Sequence, residues 1–168
     1  MIIVGLTGQS GAGKTTVCST FEKNGFAIIN ADIVAREVMS KESDCLRETV
    51  NVFGDVLLED GSLDRKKLAG IVFTDSNKLR IYENIIFPYI ISSIKEKIDV
   101  YKKESYDYIL LDAPTLFESK ADSLCDIIVS VIADRNIRIE RILKRDSITL
   151  SEVESRLDSQ KNDEFYIE

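Results

Sequence analysis

An α/β fold built on a doubly wound parallel sheet is the architecture that this sequence predicts. Short apolar runs alternate with longer segments of helical spacing, which is the pattern of parallel strands joined by crossover helices. The first apolar run leads directly into a glycine-rich loop, and a helical block of about residues 32–104 stands between the second and third strands. The 168 residues, of which 44% are hydrophobic, suit one compact domain.

The predicted elements follow one another in a regular order. Strands are predicted at four apolar runs: 2–6, 26–30, 106–112 and 126–133. Helices are predicted at seven segments of helical spacing: 15–23, 31–39, 43–53, 64–73, 75–103, 136–144 and 150–160. Gly25 ends the first helix, and the turn Glu-Asp-Gly-Ser separates the third from the fourth. We expect a single domain made of four parts: core segments 1–31 and 105–135, an inserted helical region 32–104, and helices within 136–160.

The loop after the first strand fits a phosphate-binding motif. Residues 8–15 match G-x-x-x-x-G-K-[ST], in which glycines let successive N–H groups point inward around a phosphate. Lys14 is expected to reach the β- and γ-phosphates, Thr15 to ligate Mg²⁺, and Thr16 to support the loop. The residues expected to hold the nucleotide here are Gly8, Ser10, Gly11, Ala12, Gly13, Lys14, Thr15 and Thr16. The alternative is a glycine-rich turn with an incidental lysine.

Two aspartates are expected at the carboxyl ends of strands, where parallel α/β sheets bind their ligands. Asp112 ends the run Tyr-Ile-Leu-Leu-Asp, a pattern that positions Mg²⁺ in phosphate-loop proteins, although it also suits a cap or turn. Asp32 follows the second strand. It is either a general base for an attacking hydroxyl group or the cap of a helix starting at Ile33, and the local sequence leaves both open.

Composition excludes several classes of chemistry. The chain has no histidine, so proton transfer falls to carboxylates or water. Its net charge of −7 argues against a general nucleic-acid surface. No apolar stretch approaches the ~20 residues of a membrane span, and three widely spaced cysteines indicate neither a disulfide framework nor a zinc site. We expect a cytoplasmic protein with no membrane or nucleic-acid partner, and a monomer is favoured.

Three arginines follow at helical spacing near the end of the chain. Arg138, Arg141 and Arg145 share one predicted helix face, and guanidinium groups on a mobile lid suit phosphoryl oxygens. The alternative is a solvated face paired with Asp134 and Glu140. Spacing alone does not choose between the two.

Taken together, these motifs resemble the dephospho-CoA kinase family over essentially the whole chain. The matching segments, in order, are GLTGQSGAGKTT, INADIVAREV, FGDVLLEDGSLDRKKLAGIVF, LLDAPTLFE and RIERILKRD. The third and fourth are more specific than the phosphate loop, which many families share. The resemblance implies the phosphate-loop NTPase fold of nucleoside-monophosphate-kinase-like proteins, with an inserted substrate-binding region and a short helical lid.

The resemblance also implies a reaction and its residues. ATP would phosphorylate the ribose 3′-hydroxyl of dephospho-CoA to give CoA and ADP, with Asp32 as the base near that hydroxyl. The residues implied near the acceptor are Asp32, Arg65, Leu116, Phe117 and Glu118. Arg141 and Arg145 would belong to the lid, where Arg141 acts in catalysis with Lys14 and Arg145 binds the nucleotide. Mg²⁺ would be held by Thr15 and Asp112.

Several positions depart from the family pattern. Asn30 stands where a first aspartate is usual, Phe87 precedes Pro88 where His-Pro is typical, and Arg138 takes a place often filled by glutamine. The sequence ends before the family segment A-D-x-V-I-x-N, so the last strand is expected to be missing from this chain. Two other functions stay open on the motifs alone: a nucleoside or nucleotide kinase of the same architecture, and a catalytically weak nucleotide-binding module.

Overall fold

The computed structural model describes residues 1–167 and has the predicted α/β architecture. The strands are β1 Ile2–Gly8, β2 Ala27–Asn30, β3 Tyr108–Asp112 and β4 Ile127–Val131. The helices are α1 Lys14–Lys23, α2 Ala31–Val38, α3 Asp44–Phe53, α4 Arg65–Val72, α5 Ser76–Lys103, α6 Arg135–Arg145, α7 Leu150–Asp158 and α8 Asp163–Ile167. The four strands form one sheet in the order β2-β3-β1-β4, which confirms the predicted sheet.

Residues 1–29 and 104–167 form one compact unit. In this unit β1 lies at the centre of the sheet and pairs in parallel with β3 and β4. Its apolar side chains on both faces suit a strand that is covered on both sides. Val4, Leu6 and Leu110 form the centre of its core. The register places Leu6 beside Asp112, so the carboxyl ends of β1 and β3 lie at one edge of the sheet.

Residues 30–103 form the second compact unit, which is entirely helical apart from short connections and the isolated bridge between Leu57 and Leu63. Helix α5 runs for 28 residues, and α2, α3 and α4 all pack along it. Its buried residues are Ile85, Ile86, Ile90 and Ile94. This apolar stripe explains why the helical block folds around its longest helix.

The element boundaries differ from the predictions mainly at short segments. Helix α8 and the 3₁₀ turn Ala121–Leu124 were not predicted, because five and four residues are too few to show a helical period. Strand β4 is shorter than its apolar run. Within residues 1–167, none of the helices has the length and apolar character needed to cross a membrane.

Candidate active site

The phosphate loop follows β1 with the geometry that its glycines permit. A Cβ atom on Gly8 would lie 2.2 Å from the carbonyl oxygen of Val131, so the loop leaves the sheet in direct contact with the end of β4. Gly11 has φ +79°, and a Cβ atom there would lie 2.8 Å from the carbonyl oxygen of Arg138. Both positions therefore require glycine, and the loop is held between β4 and α6.

Helix α1 begins at Lys14, directly after the loop. Gly13 precedes it without a side-chain cap, and the first turn holds no acidic residue. Its first N–H groups and the positive end of the helix dipole therefore suit an anionic ligand. Thr15 and Thr16 are exposed in this first turn.

Lys14 and Asp112 form an ion pair at this edge of the sheet. The Lys14 ammonium Nζ lies 2.8 Å from Asp112 Oδ1, and the two side chains are 18% and 10% exposed. The structure thus joins the predicted phosphate-binding lysine to the predicted metal-binding aspartate. Asp112 is therefore more than a cap or turn residue at the strand end, because its carboxylate forms an ion pair with Lys14 of the loop.

The chain near residue 160 supports the phosphate loop, a contact that the sequence did not indicate. Ser10 donates its backbone N–H to the side-chain oxygen of Gln160 at 3.1 Å. The buried Gln9 donates from Nε2 to Asp163 at 2.6 Å. A single sequence offers no signal for side-chain contacts across about 150 positions, since Gln9 is at a variable position of the motif and Gln160 lies outside it.

Helix α6 carries four arginines, and the three that the sequence singled out lie in three different environments. Arg141 donates from Nη1 to the carbonyl oxygens of Ala12 at 3.0 Å and Gly11 at 3.3 Å, so it contacts the phosphate loop. Arg138 is 5% exposed, which makes the predicted solvated alternative wrong for this residue. Asp134, which the solvated alternative paired with these arginines, caps the start of α6, where it accepts the N–H of Asn136.

Arg145 is paired with its sequence neighbour Asp146. Two hydrogen bonds of 2.8 and 2.9 Å join the guanidinium to the two carboxylate oxygens, and Arg156 adds a third at 2.7 Å. These cations lower the pKa of Asp146 to about 2, with the Arg145 hydrogen bond as the largest cause. The same pair raises the pKa of Arg145.

In the helical unit, Asp32 and Arg65 both lie in the first turn of a helix. Asn30 caps α2, since its Oδ1 accepts the N–H of Ile33 at 3.0 Å. The alternative in which Asp32 caps a helix starting at Ile33 is therefore wrong, because the helix begins at Ala31 with Asn30 as its cap. Asp32 is exposed, and Arg65 is exposed at the start of α4 after the cap Asp64.

The segment after β3 carries the remaining predicted residues. Leu116 is fully buried, and its Cδ2 lies 3.0 Å from the Cβ position of Gly5 in β1, so it anchors the turn to the sheet. Phe117 is half-buried and packs edge-to-face on Phe165 of α8, with ring centroids 5.2 Å apart. Glu118 is exposed.

Comparison with known proteins gives a consistent result. A family model described as dephospho-CoA kinase matches residues 2–166. A dephospho-CoA kinase of Bacillus thuringiensis is 38% identical over 160 residues, which cover 95% of this chain and 80% of the relative.

Two solved structures are also similar to this chain. The crystal structure of TT1252 from Thermus thermophilus has a TM-score of 0.83 and 26% identity, with 98% of this chain and 82% of that chain covered. The dephospho-CoA kinase from Campylobacter jejuni has a TM-score of 0.66 and 27% identity, with 94% and 79% covered.

Proposed function

The chain belongs to the dephospho-CoA kinase family, and on that premise we propose how its residues divide the work of the reaction. The reaction transfers the γ-phosphoryl group of ATP to the ribose 3′-hydroxyl of dephospho-CoA, giving CoA and ADP as the final step of coenzyme A synthesis. The observation that carries the proposal is the family match over residues 2–166, joined to a phosphate loop whose lysine lies 2.8 Å from a strand-end aspartate. The helical insertion supplies the acceptor side, and residues 136–160 act as the lid.

The donor half of the site holds the polyphosphate. The loop amides of residues 8–16 surround the phosphates, and Lys14 exchanges part of its contact with Asp112 for the β- and γ-phosphates. Arg141 already contacts the loop carbonyls from α6, so a small rotation of its side chain brings a second cation to the transferred group. Negative charge that spreads over the phosphoryl oxygens is stabilised by these cations, which is the main catalytic contribution in phosphoryl transfer.

The donor set also fits a magnesium ion. The Thr15 hydroxyl, in the first turn of α1, and the Asp112 carboxylate, at the end of β3, are hard oxygen ligands of the kind that Mg²⁺ prefers. When bound, Mg²⁺ neutralises charge on the β- and γ-phosphates. Arg145 is proposed to help hold the nucleotide, and it keeps its ion pair with Asp146 as an anchor.

The acceptor part of the site binds dephospho-CoA and positions its ribose 3′-hydroxyl group. The 3′-hydroxyl oxygen attacks the γ-phosphorus, the bond from that phosphorus to the β,γ-bridging oxygen breaks, and the hydroxyl proton passes to the Asp32 carboxylate. Asp32 suits this role because it is exposed in the first turn of α2 and the cap is provided by Asn30. Arg65, Phe117 and Glu118 are proposed to contact the acceptor, and the buried Leu116 fixes the turn that carries the last two.

The remaining parts of the proposal concern the state of the protein. A monomer is proposed as the active unit, because every residue given a role comes from one chain. A cytoplasmic location is proposed because Cys18, Cys45 and Cys125 are free thiols, as is usual in a reducing compartment. Neither substrate calls for a nucleic-acid or membrane partner.

The test is a direct assay of acceptor choice. Purified protein is incubated with ATP and Mg²⁺ and one of three acceptors: dephospho-CoA, AMP or adenosine. The expected product is dephospho-CoA made heavier by one phosphoryl group, seen by mass spectrometry together with one equivalent of ADP. Phosphorylation of AMP in preference to dephospho-CoA would instead support a nucleotide kinase, and ATP binding without any product would support a non-catalytic module.

A further inference from the structure

Arg138 is a buried cation that leaves two of its three guanidinium nitrogens without a hydrogen bond. The residue is 5% exposed, and its Nε and Nη1 atoms have no hydrogen-bond partner. Within residues 1–167, the only other buried side-chain N or O atom without a partner is Oε1 of Gln9. Arg138 contacts the phosphate loop and Gln9 belongs to it, so the unsatisfied polar atoms of the described chain are concentrated at one place.

The position of Arg138 is fixed by its backbone. Its carbonyl oxygen and Cα lie 2.8 and 3.1 Å from the Cβ position of Gly11, so the residue abuts the middle of the loop. Tyr166 in α8 lies within electrostatic range of both Arg138 and Glu118: burial and the Glu118 carboxylate raise the pKa of Tyr166, whereas the Arg138 cation lowers it. The backbone of Arg138 therefore adjoins the phosphate loop, and its side chain lies within electrostatic range of the short helix α8.

A buried guanidinium with unsatisfied N–H groups is costly, because those groups lose their hydration and gain no hydrogen bond in return. An arginine side chain cannot escape this cost by losing its proton. An oxyanion satisfies both the charge and the unpartnered N–H groups, whereas a water molecule or a neutral base satisfies only the N–H groups.

We propose that Arg138 is a further ligand-binding residue of the kinase site, and that an oxyanion of bound ATP accepts the hydrogen bonds that its guanidinium lacks. The inference rests on the proposed function, because it takes ATP as the ligand of the loop. It concerns a residue of this chain that stands where the family often has glutamine. Because Arg138 is 5% exposed, this contact requires the side chains around its guanidinium to move when the nucleotide enters.

The proposal predicts that removing the Arg138 cation does not lower the stability of the nucleotide-free protein but does lower its affinity for ATP. Removing an unsatisfied buried cation leaves the nucleotide-free protein equally stable or more stable. Removing a charge-assisted contact weakens ATP binding about 10- to 100-fold. A residue with a purely structural role would behave in the reverse way, with a lower melting temperature and unchanged ATP affinity.

The experiment compares Arg138→Met, Arg138→Lys and the control Arg135→Met. Met keeps the aliphatic stem and removes the charge, Lys keeps the charge, and Arg135 is an arginine of the same helix whose side chain is 46% exposed and paired with Asp158. Melting temperatures without ligand, calorimetric affinities for ATP and adenosine, and steady-state KM values for ATP and dephospho-CoA are measured for each protein.

The expected result is a melting temperature for Arg138→Met at or above that of the wild type, a 10- to 100-fold rise in Kd and KM for ATP, and an unchanged KM for dephospho-CoA. Arg138→Lys should recover part of the ATP affinity, and Arg135→Met should bind ATP normally. The inference is overturned if Arg138→Met melts lower or fails to fold, if its ATP affinity stays within twofold of the wild type, or if adenosine binding falls as much as ATP binding. Wild-type protein that fails to bind ATP would instead refute the proposed function.

Discussion

Substituting Lys14 with methionine removes the cation from a pair that is largely shielded from water. The ammonium lies 2.8 Å from Asp112, whose side chain is 10% exposed, so the carboxylate is left buried without its lysine. Breaking a buried ion pair from one side costs about 3–5 kcal/mol. Because Lys14 is still 18% exposed, the expected cost lies at or just below the bottom of that range, about 2–3 kcal/mol.

That cost is measurable by thermal unfolding. For a chain of this size, each kcal/mol moves the melting temperature by about 2–4 °C, so Lys14→Met should melt roughly 4–12 °C lower than the wild type. The double variant Lys14→Met with Asp112→Asn removes both charges and should recover most of the loss. ATP binding by Lys14→Met should be lost in calorimetry. A single variant as stable as the wild type, or one that binds ATP normally, would refute the account of this pair.

The remaining predictions concern the base, the loop and the α6 ion pair. Asp32→Asn should retain ATP affinity while turnover falls about 10²- to 10⁴-fold, since only the proton acceptor is lost; near-normal turnover in steady-state assays would reject Asp32 as the base. Gly8→Ala forces a methyl group toward the Val131 carbonyl at φ +141°, and a loss of about 2–5 kcal/mol in denaturant unfolding is expected. Asp146 should titrate by NMR near pH 2 rather than 3.8. Because its folded pKa is lowered, its stabilisation is present above pH 3.8 and lost as the pH falls toward 2; an unshifted titration would show that the pair with Arg145 does not form in solution.

Local signals in the sequence predicted the parts of the site that are continuous along the chain. The loop of residues 8–15 follows a strand and opens a helix, and both requirements of the motif are visible in sequence order. The strand ending at Asp112 was also predictable, because four apolar residues precede a carboxylate. Its contact with Lys14 follows from the parallel register of β1 and β3.

Contacts between distant segments could not be predicted in the same way. Helical spacing placed Arg138, Arg141 and Arg145 on one face, but burial is decided by what packs on that face. The phosphate loop covers Arg138, whereas Arg145 turns to Asp146. The cap of α2 shows the same limit at short range, because Asn30 and Asp32 are both acceptable caps and only the backbone geometry distinguishes them.

The most far-reaching proposal is that Asp32 takes the proton of the hydroxyl group that attacks the ATP held by the phosphate loop. It is tested most directly by a crystal structure with dephospho-CoA and a non-hydrolysable ATP analogue bound together. The ribose 3′-hydroxyl is expected about 2.6–3.2 Å from the Asp32 carboxylate and in line with the γ-phosphate held by Lys14. An acceptor hydroxyl bound elsewhere, with Asp32 directed to solvent, would contradict it.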